Sequence, residues 1–246
     1  MKNESIDLLA ELSAKLNINA NINITDAQLS QFNTLGDMLI EWNQKVNLTA
    51  IVDERDIIIK HFIDSLSIIK HVKPGKYIDV GSGAGFPGLP VKIILGGAID
   101  TSLIEAAGKK VRFINSAISA LGLASIETVH IRAEDAGHLE KYRESADVVT
   151  ARAVAALPTL LEYCTPFLKQ GGVFVAMKSS SKEAEEEACA SGGAASLLGC
   201  RIEGAERFAL PGSDIGRAAV IVRKVSKTPA KYPRKAGLPS KRPLYA

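Results

Sequence analysis

The stretch Tyr77–Pro90, "YIDVGSGAGFPGLP", places Gly81, Gly83, Gly85 and Gly88 directly behind a short apolar run that carries one acid, Asp79. A glycine loop that leaves a strand and opens a helix lets the backbone approach a nucleotide, because no Cβ stands in the way and left-handed dihedrals are allowed. The glycine spacing decides which nucleotide. A dinucleotide fingerprint, G-x-G-x-x-G, counted from Gly81 needs a glycine at position 86, where the chain has Phe86. The pattern recurs as Gly83, Gly85 and Gly88, but that frame starts two residues late for a tight strand-to-helix turn and contains Pro87. Proline has no N–H to give a pyrophosphate at a helix N-terminus.

Working outward from the loop, strand-like runs fall at 77–80, 99–104, 126–131, 146–151, 172–177, 201–208 and 218–224. Helical patterns lie between them at 88–95, 108–121, 135–142, 157–168 and 181–198. This alternation predicts an α/β fold of the Rossmann-like type, a mostly parallel seven-stranded sheet with helices on both faces. Only the turn "LPGSDIGR" separates the last two strands, which predicts an antiparallel hairpin. Ahead of the loop, 3–16 and 26–43 carry apolar residues at helical spacing, with Thr25 as an N-cap and Trp42 in the core. A third helix is expected over "ERDIIIKHFIDSLSIIKHV", up to the Pro74-Gly75 turn. Three segments are therefore expected: a helical extension over 1–73 packed on the main domain, the α/β domain over 74–226, and a tail over 227–246.

The 246 residues are 46% hydrophobic and 23% charged, an ordinary globular composition. No apolar run approaches the roughly 18–20 residues that span a bilayer, and the N-terminal segment has acids interspersed, unlike a secretion signal. A cytoplasmic monomer without membrane attachment is expected. Cys164, Cys189 and Cys200 are far apart and form no C-x-x-C pair, which argues for reduced thiols and against a metal site. The tail from Lys227 holds six Lys/Arg and no acid against a net charge of +3 for the whole chain, so residues 1–226 carry −3. Pro229, Pro233, Pro239 and Pro243 forbid a regular helix there, and Tyr232 and Tyr245 interleave with the charges. An extended basic segment of this kind suits a phosphate backbone, and equally a solvated tail.

Asp79 opposes a dianionic pyrophosphate and favours a cationic ligand. S-adenosylmethionine, with its sulfonium and α-ammonium groups, fits such a lip, and Gly81, Gly83 and Gly85 would let the backbone approach its methionine portion. Glu105 ends the next strand, 24 residues after Gly81, where a carboxylate accepts from ribose hydroxyls. After the third strand, "RAED" sets Glu134 where it can meet an adenine edge. At the fourth strand end, "TARAVAALP" offers Arg152, without the Pro-Pro signature of amino-methylating enzymes and without a thiol nucleophile. A ring nitrogen such as guanine N7 needs neither, since it has a free lone pair and loses no proton. The same absence is compatible with no catalysis at all.

The segments "WNQKVNLTAI", "KHFIDSLSI", "IDVGSGAGFPGLPVKI", "GKKVRFI", "RAED", "VTARAVA" and "KTPAKYPRKAGLPSKRP" occur in the order found in the 16S ribosomal RNA guanine-N7 methyltransferases, once called glucose-inhibited division protein B. The chain resembles this family from about Leu29 to Pro243. The resemblance implies a class I methyltransferase fold and methyl transfer from S-adenosylmethionine to N7 of a guanosine in the decoding region of 16S rRNA, without a general base. It further implies that Gly81 and Phe86 line the donor, that Ala133 and Glu134 flank adenine, and that Arg152 closes the pocket near the methyl group. Where the family often has Asp-Ser, this chain has Glu105-Ala106, which keeps the ribose acceptor and lacks the hydroxyl.

Contacts to RNA, naked or in the 30S particle, are expected from Lys109, Lys110, Arg112 and Arg132, and from Lys231, Arg234 and Lys235 in the tail. His61 and Asp64, one helical turn apart, are expected to pair and hold the N-terminal helices against the sheet. The competing readings are a small-molecule methyltransferase, which the basic tail opposes, and a donor-binding RNA module without catalysis.

Overall fold

The structure, a computed structural model, describes residues 1–16 and 24–244. Its strands are β1 (Gly75–Val80), β2 (Ile99–Glu105), β3 (Ile126–His130), β4 (Ala146–Arg152), β5 (Leu168–Lys178), β6 (Cys200–Ala209) and β7 (Gly216–Lys224). They form one sheet in the order β3-β2-β1-β4-β5-β7-β6, parallel except for β7, which runs antiparallel to both neighbours. The chain turns outward to β2 and β3 and then returns to β4, so the topological switch lies between β1 and β4. Ligands bind such sheets beyond the carboxyl ends of the strands at that switch.

Side chains alternate between the two faces of each strand. Ile78, Val80, Val149, Ala151 and Phe174 build one core, covered by α7 (Ala133–Ala136), α8 (Leu157–Cys164), α9 (Ser181–Ala190) and α10 (Gly192–Leu197). Tyr77, Val148 and Val175 face the other way. That side is covered by α5 (Gly88–Leu95) and α6 (Gly108–Ala120); α2 (Asp26–Val46) rests on them, and α1 (Asn3–Leu16) packs on α2 and on the helical segment over Ile58–Ile63. Thr25 caps α2 in a capping box with Gln28, and Trp42 meets Phe113 edge-on at 5.7 Å.

Several expectations are corrected by particular residues. The third helix runs unbroken only over 54–66, where α3 (Glu54–Ile57) widens into a π-helix over Ile58–Ile63 and tightens again into α4 (Asp64–Leu66); a separate 3-10 turn follows at Ile69–His71. Widening leaves the Lys60 carbonyl to accept Arg152 Nη1 at 3.0 Å. The helix expected over 157–168 stops at Cys164, because Pro166 supplies no N–H, and β5 starts at Leu168. The 181–198 stretch is two helices parted at Ser191. The piece expected at 135–142 is the shorter α7.

The largest correction concerns the tail. Residues 227–244 fold back on the α7–α8 face, Tyr232 is buried, and α11 (Leu238–Lys241) packs near α8. Tyr245 lies outside the described residues.

Asp79 is also not where it was expected. Its carboxylate has no solvent exposure: Oδ2 accepts from Gly88 N–H at 2.9 Å and Oδ1 from the Thr150 hydroxyl at 2.9 Å. Thr150 in turn meets the Tyr77 hydroxyl at 2.7 Å, so when Asp79 is ionised Tyr77 donates to Thr150 and Thr150 to Asp79. A Cβ at Gly88 would stand 2.2 Å from Cδ2 of the buried Leu103, which would have to shift to admit it. Burial pushes the Asp79 carboxyl up to about 7, against the lowering effect of these hydrogen bonds. A folded-state pKa above the unfolded one means that the native state holds this proton more tightly. The associated stability is complete below about pH 4 and is lost as pH rises through about 7. Asp79→Asn keeps an acceptor for Gly88 and cannot ionise. Urea titrations from about pH 4 to about pH 8 should show the wild type losing stability relative to Asp79→Asn, on the order of a few kcal/mol. Parallel pH profiles for the two proteins would contradict a buried, proton-hungry carboxyl.

Candidate functional site

Two hollows adjoin at the carboxyl ends of β1 and β4. The first, about 330 Å³, is lined by Gly81 after β1, Glu105 and Ala106 after β2, Arg132, Ala133 and Glu134 after β3, and Tyr163 of α8. The second, about 500 Å³, lies beyond β4 and β5 and includes Lys60, His61, Asp64, Arg152, Lys178 and Arg217. Ala153 and Val154 belong to both and form the partition between them. Gly81 sits against that partition at φ +68°, and a Cβ there would meet Val154 Cγ2 at 2.6 Å.

The glycine loop has most of its amides engaged by protein acceptors. Gly81 and Ser82 N–H donate to the Ile104 carbonyl, Gly85 and Phe86 N–H to the Ser82 carbonyl, and Gly88 N–H to Asp79. Gly83 N–H donates to Glu105 Oε2 at 2.8 Å, while Glu105 Oε1 accepts from Ala107 N–H at 2.8 Å. Pro87 has no N–H. A pyrophosphate would find none of these donors, whereas the two acids of the hollow, Glu105 and Glu134, are each nearly buried and suit hydroxyl and amino groups. The two acids therefore fit the hydroxyl and amino groups of a nucleoside, with Lys110 and Arg132 also on the wall.

The sequence-predicted donor residues divide accordingly. Gly81, Glu105, Ala133 and Glu134 line the first hollow together. Asp79 lies beneath the loop, and Gly83 and Gly85 shape it, both at positive φ. Gly85 lies against Leu89, and Gly83 faces the Lys110 side chain. Phe86 is buried outside the hollow: it stacks on His61 with 4.5 Å between centroids, and the Arg152 guanidinium lies 5.5 Å above its ring. Arg152 belongs to the second hollow.

There Arg152 forms the hub. Nη1 donates to Asp64 Oδ2 at 2.9 Å, and Nη2 donates to His61 Nδ1 at 3.1 Å. Asp64 Oδ1 accepts from Arg217 Nε at 3.2 Å. His61 and Asp64 thus do not pair with each other as expected, because the guanidinium stands between them. Arginine only donates, so His61 Nδ1 is the bare nitrogen and Nε2 donates to Thr49 Oγ1 at 3.0 Å. Burial first, and then the Arg152 charge, push His61 down to about 3, so the ring is neutral.

Among the residues expected at RNA, Lys110 and Arg132 stand at the first hollow. Lys109 and Arg112 are exposed on α6, as are Lys231 and Lys235 on the C-terminal segment. Arg234 is not free for RNA: its Nε and Nη2 donate to the fully buried Glu162 at 2.6–3.0 Å. Sequence reasoning missed Arg217 and Tyr163, and it quoted Val154 within "VTARAVA" without giving it a role. Cys164 and Cys200 are buried and Cys189 is exposed. Among the described residues no helix is long and apolar enough to cross a membrane, and no group of three metal-ligating side chains gathers.

The fold is shared with a SAM-dependent methyltransferase from Aquifex aeolicus, at TM-score 0.51 and 15% identity over 69% of this chain and 93% of that one. It is shared also with P. horikoshii TYW2 in complex with MeSAdo, at TM-score 0.51 and 13% identity over 66% and 62%. In sequence the chain is 50% identical to the ribosomal RNA small subunit methyltransferase G of Acetivibrio thermocellus, over 91% of each protein. It is 44% identical to the one from Caldanaerobacter subterraneus, over 99% of this chain and all of that one. The model of the family described as rRNA small subunit methyltransferase G (GidB) matches residues 28–196. Sequence identity of this extent, on a fold with a hollow lined by two acids at its switch point, makes the chain a member of the rRNA small subunit methyltransferase G family and an S-adenosylmethionine-dependent methyltransferase.

Proposed function

We propose that this enzyme methylates N7 of a guanosine in the decoding region of 16S rRNA. The observation that carries the reading is the partition at Ala153–Val154, which separates a hollow holding Glu105 and Glu134 from a larger, arginine-lined cleft by two residues. In this reading Gly81, Glu105, Ala133 and Glu134 hold the donor in the first hollow, and the second admits the guanosine. When bound, S-adenosylmethionine supplies a methyl group on a positively charged sulfur, which the N7 lone pair takes without loss of a proton.

Three groups of the cleft are held for alignment rather than for proton transfer, while its other carboxylate, Glu183, is exposed. Asp64 is held between Arg152 and Arg217. Glu187 is held by Lys178 at 2.6 Å and by Leu157 N–H at 2.8 Å. His61 is neutral with both ring nitrogens engaged. None of these three offers a free base, as an N7 acceptor allows. Arg152 orders the cleft through Lys60, His61 and Asp64 at once, which ties the 1–73 segment to the 74–226 domain as one catalytic unit. Lys109, Arg112, Arg132, Lys231 and Lys235, all exposed, are among the cations that would meet the RNA backbone of 16S rRNA or the 30S particle. A cytoplasmic monomer is the form in which we expect the enzyme to act.

Tritiated donor incubated with 30S particles, naked 16S rRNA and free nucleosides, followed by digestion and chromatography, should place the label in 7-methylguanosine of the RNA. Label confined to small molecules would favour a small-molecule enzyme, and donor binding without transfer a non-catalytic module. Arg152→Lys keeps the charge but not the planar fork. Single-turnover methyl transfer should fall at least about tenfold, with adenosylhomocysteine affinity within about threefold by calorimetry. An unaltered transfer rate would remove Arg152 from alignment.

A further inference from the structure

Glu162, on α8, is the observation that the α/β domain leaves unexplained. It has no solvent exposure, and a carboxylate so placed persists only with a partner. Its partner is Arg234, which supplies both a guanidinium and its backbone N–H, the latter at 2.6 Å. Arg234 Nη2 also donates to the Arg242 carbonyl at 2.7 Å, closing residues 234–242 into a loop. Further back the segment is fixed by Arg143, whose guanidinium donates to the carbonyls of Thr228 at 3.0 Å and Tyr232 at 2.9 Å, and by Glu144, which accepts from Thr228 N–H at 2.8 Å. The loop so held reaches the first hollow. Gly237 N–H donates to Glu134 Oε1 at 2.8 Å, and Gly237 and Ser240 line that hollow beside Tyr163.

We propose that residues 227–244 form a wall of the donor pocket, with Gly237 and Ser240 contacting the nucleoside end of S-adenosylmethionine and the Glu162–Arg234 pair holding them there. The inference rests on the donor assignment made above. It changes what the basic segment is for: its inner side fixes Glu134 and encloses the donor, and only its outer cations face solvent. Donor affinity then depends on an ion pair that touches no part of the donor.

The test uses the full chain and adenosylhomocysteine as probe. Removing Arg234 alone would strand a buried charge and endanger folding, so the informative variant is the double change Glu162→Gln with Arg234→Met, which removes both charges. Calorimetry should show adenosylhomocysteine affinity falling at least about tenfold, with little change in the salt slope of 16S rRNA binding. Affinity within about twofold of the wild type overturns the proposal, and a flattened RNA salt slope in that case would mark the segment as an RNA arm instead. Should the variant not fold, hydrogen exchange on the wild type decides: amides 234–241 should slow when adenosylhomocysteine binds, and unchanged exchange overturns the proposal. A wild type that binds no adenosylhomocysteine would overturn the donor assignment along with it. Bound donor with unaltered variant affinity overturns this inference alone.

Discussion

The buried carboxylate of Asp79 is the constraint on which the site depends. It joins three elements that the chain order keeps apart: the end of β1, the first turn of α5 through Gly88, and β4 through Thr150. Once these are fixed, the glycines between must fold into a loop whose N–H groups point inward, and β4 must deliver Ala153–Val154 against Gly81. Glu105 performs the matching task from β2 by accepting from Gly83 and Ala107. Two acids therefore use up loop donors that a dinucleotide enzyme would present to phosphate. The preference against a pyrophosphate survives on this ground rather than on an exposed negative charge at the lip.

A second buried network sets the other side of the partition. Arg152 of β4 and Arg217 of β7, strands separated by β5, clasp Asp64 from the helical extension. One carboxylate between two guanidiniums leaves a net positive site, consistent with a polyanionic substrate. The π-helix over Ile58–Ile63 is part of the same arrangement, since it turns a backbone carbonyl toward Arg152 while His61 stacks on Phe86. The N-terminal helices are thus coupled to the cleft through Arg152, and the glycine loop meets them through Phe86.

Much of this was legible in the chain. Period-two and period-3.6 patterns located all seven strands and most helices, and the glycine and proline punctuation located the loop. The order of acids at successive strand ends located Glu105 and Glu134. What misled was the inference of side-chain direction from position. Asp79 at a strand end read as a lip residue, yet the alternation of the strand turns it under α5. Arg234 and its neighbours read as a free basic tail, because charge composition carries no record of a buried acid elsewhere.

The sequence by itself determined the layers, the parallel sheet, the nucleoside loop and the family, since each rests on local spacing or on a contiguous motif. The tertiary structure alone decided which charges are engaged. Arg152 meets Asp64 across 88 residues, Arg234 meets Glu162 across 72 and Gly237 meets Glu134 across 103. Pairings at such separations are chosen by which faces the folded sheet brings together and by the cost of leaving a buried carboxylate alone, and neither has a local signature.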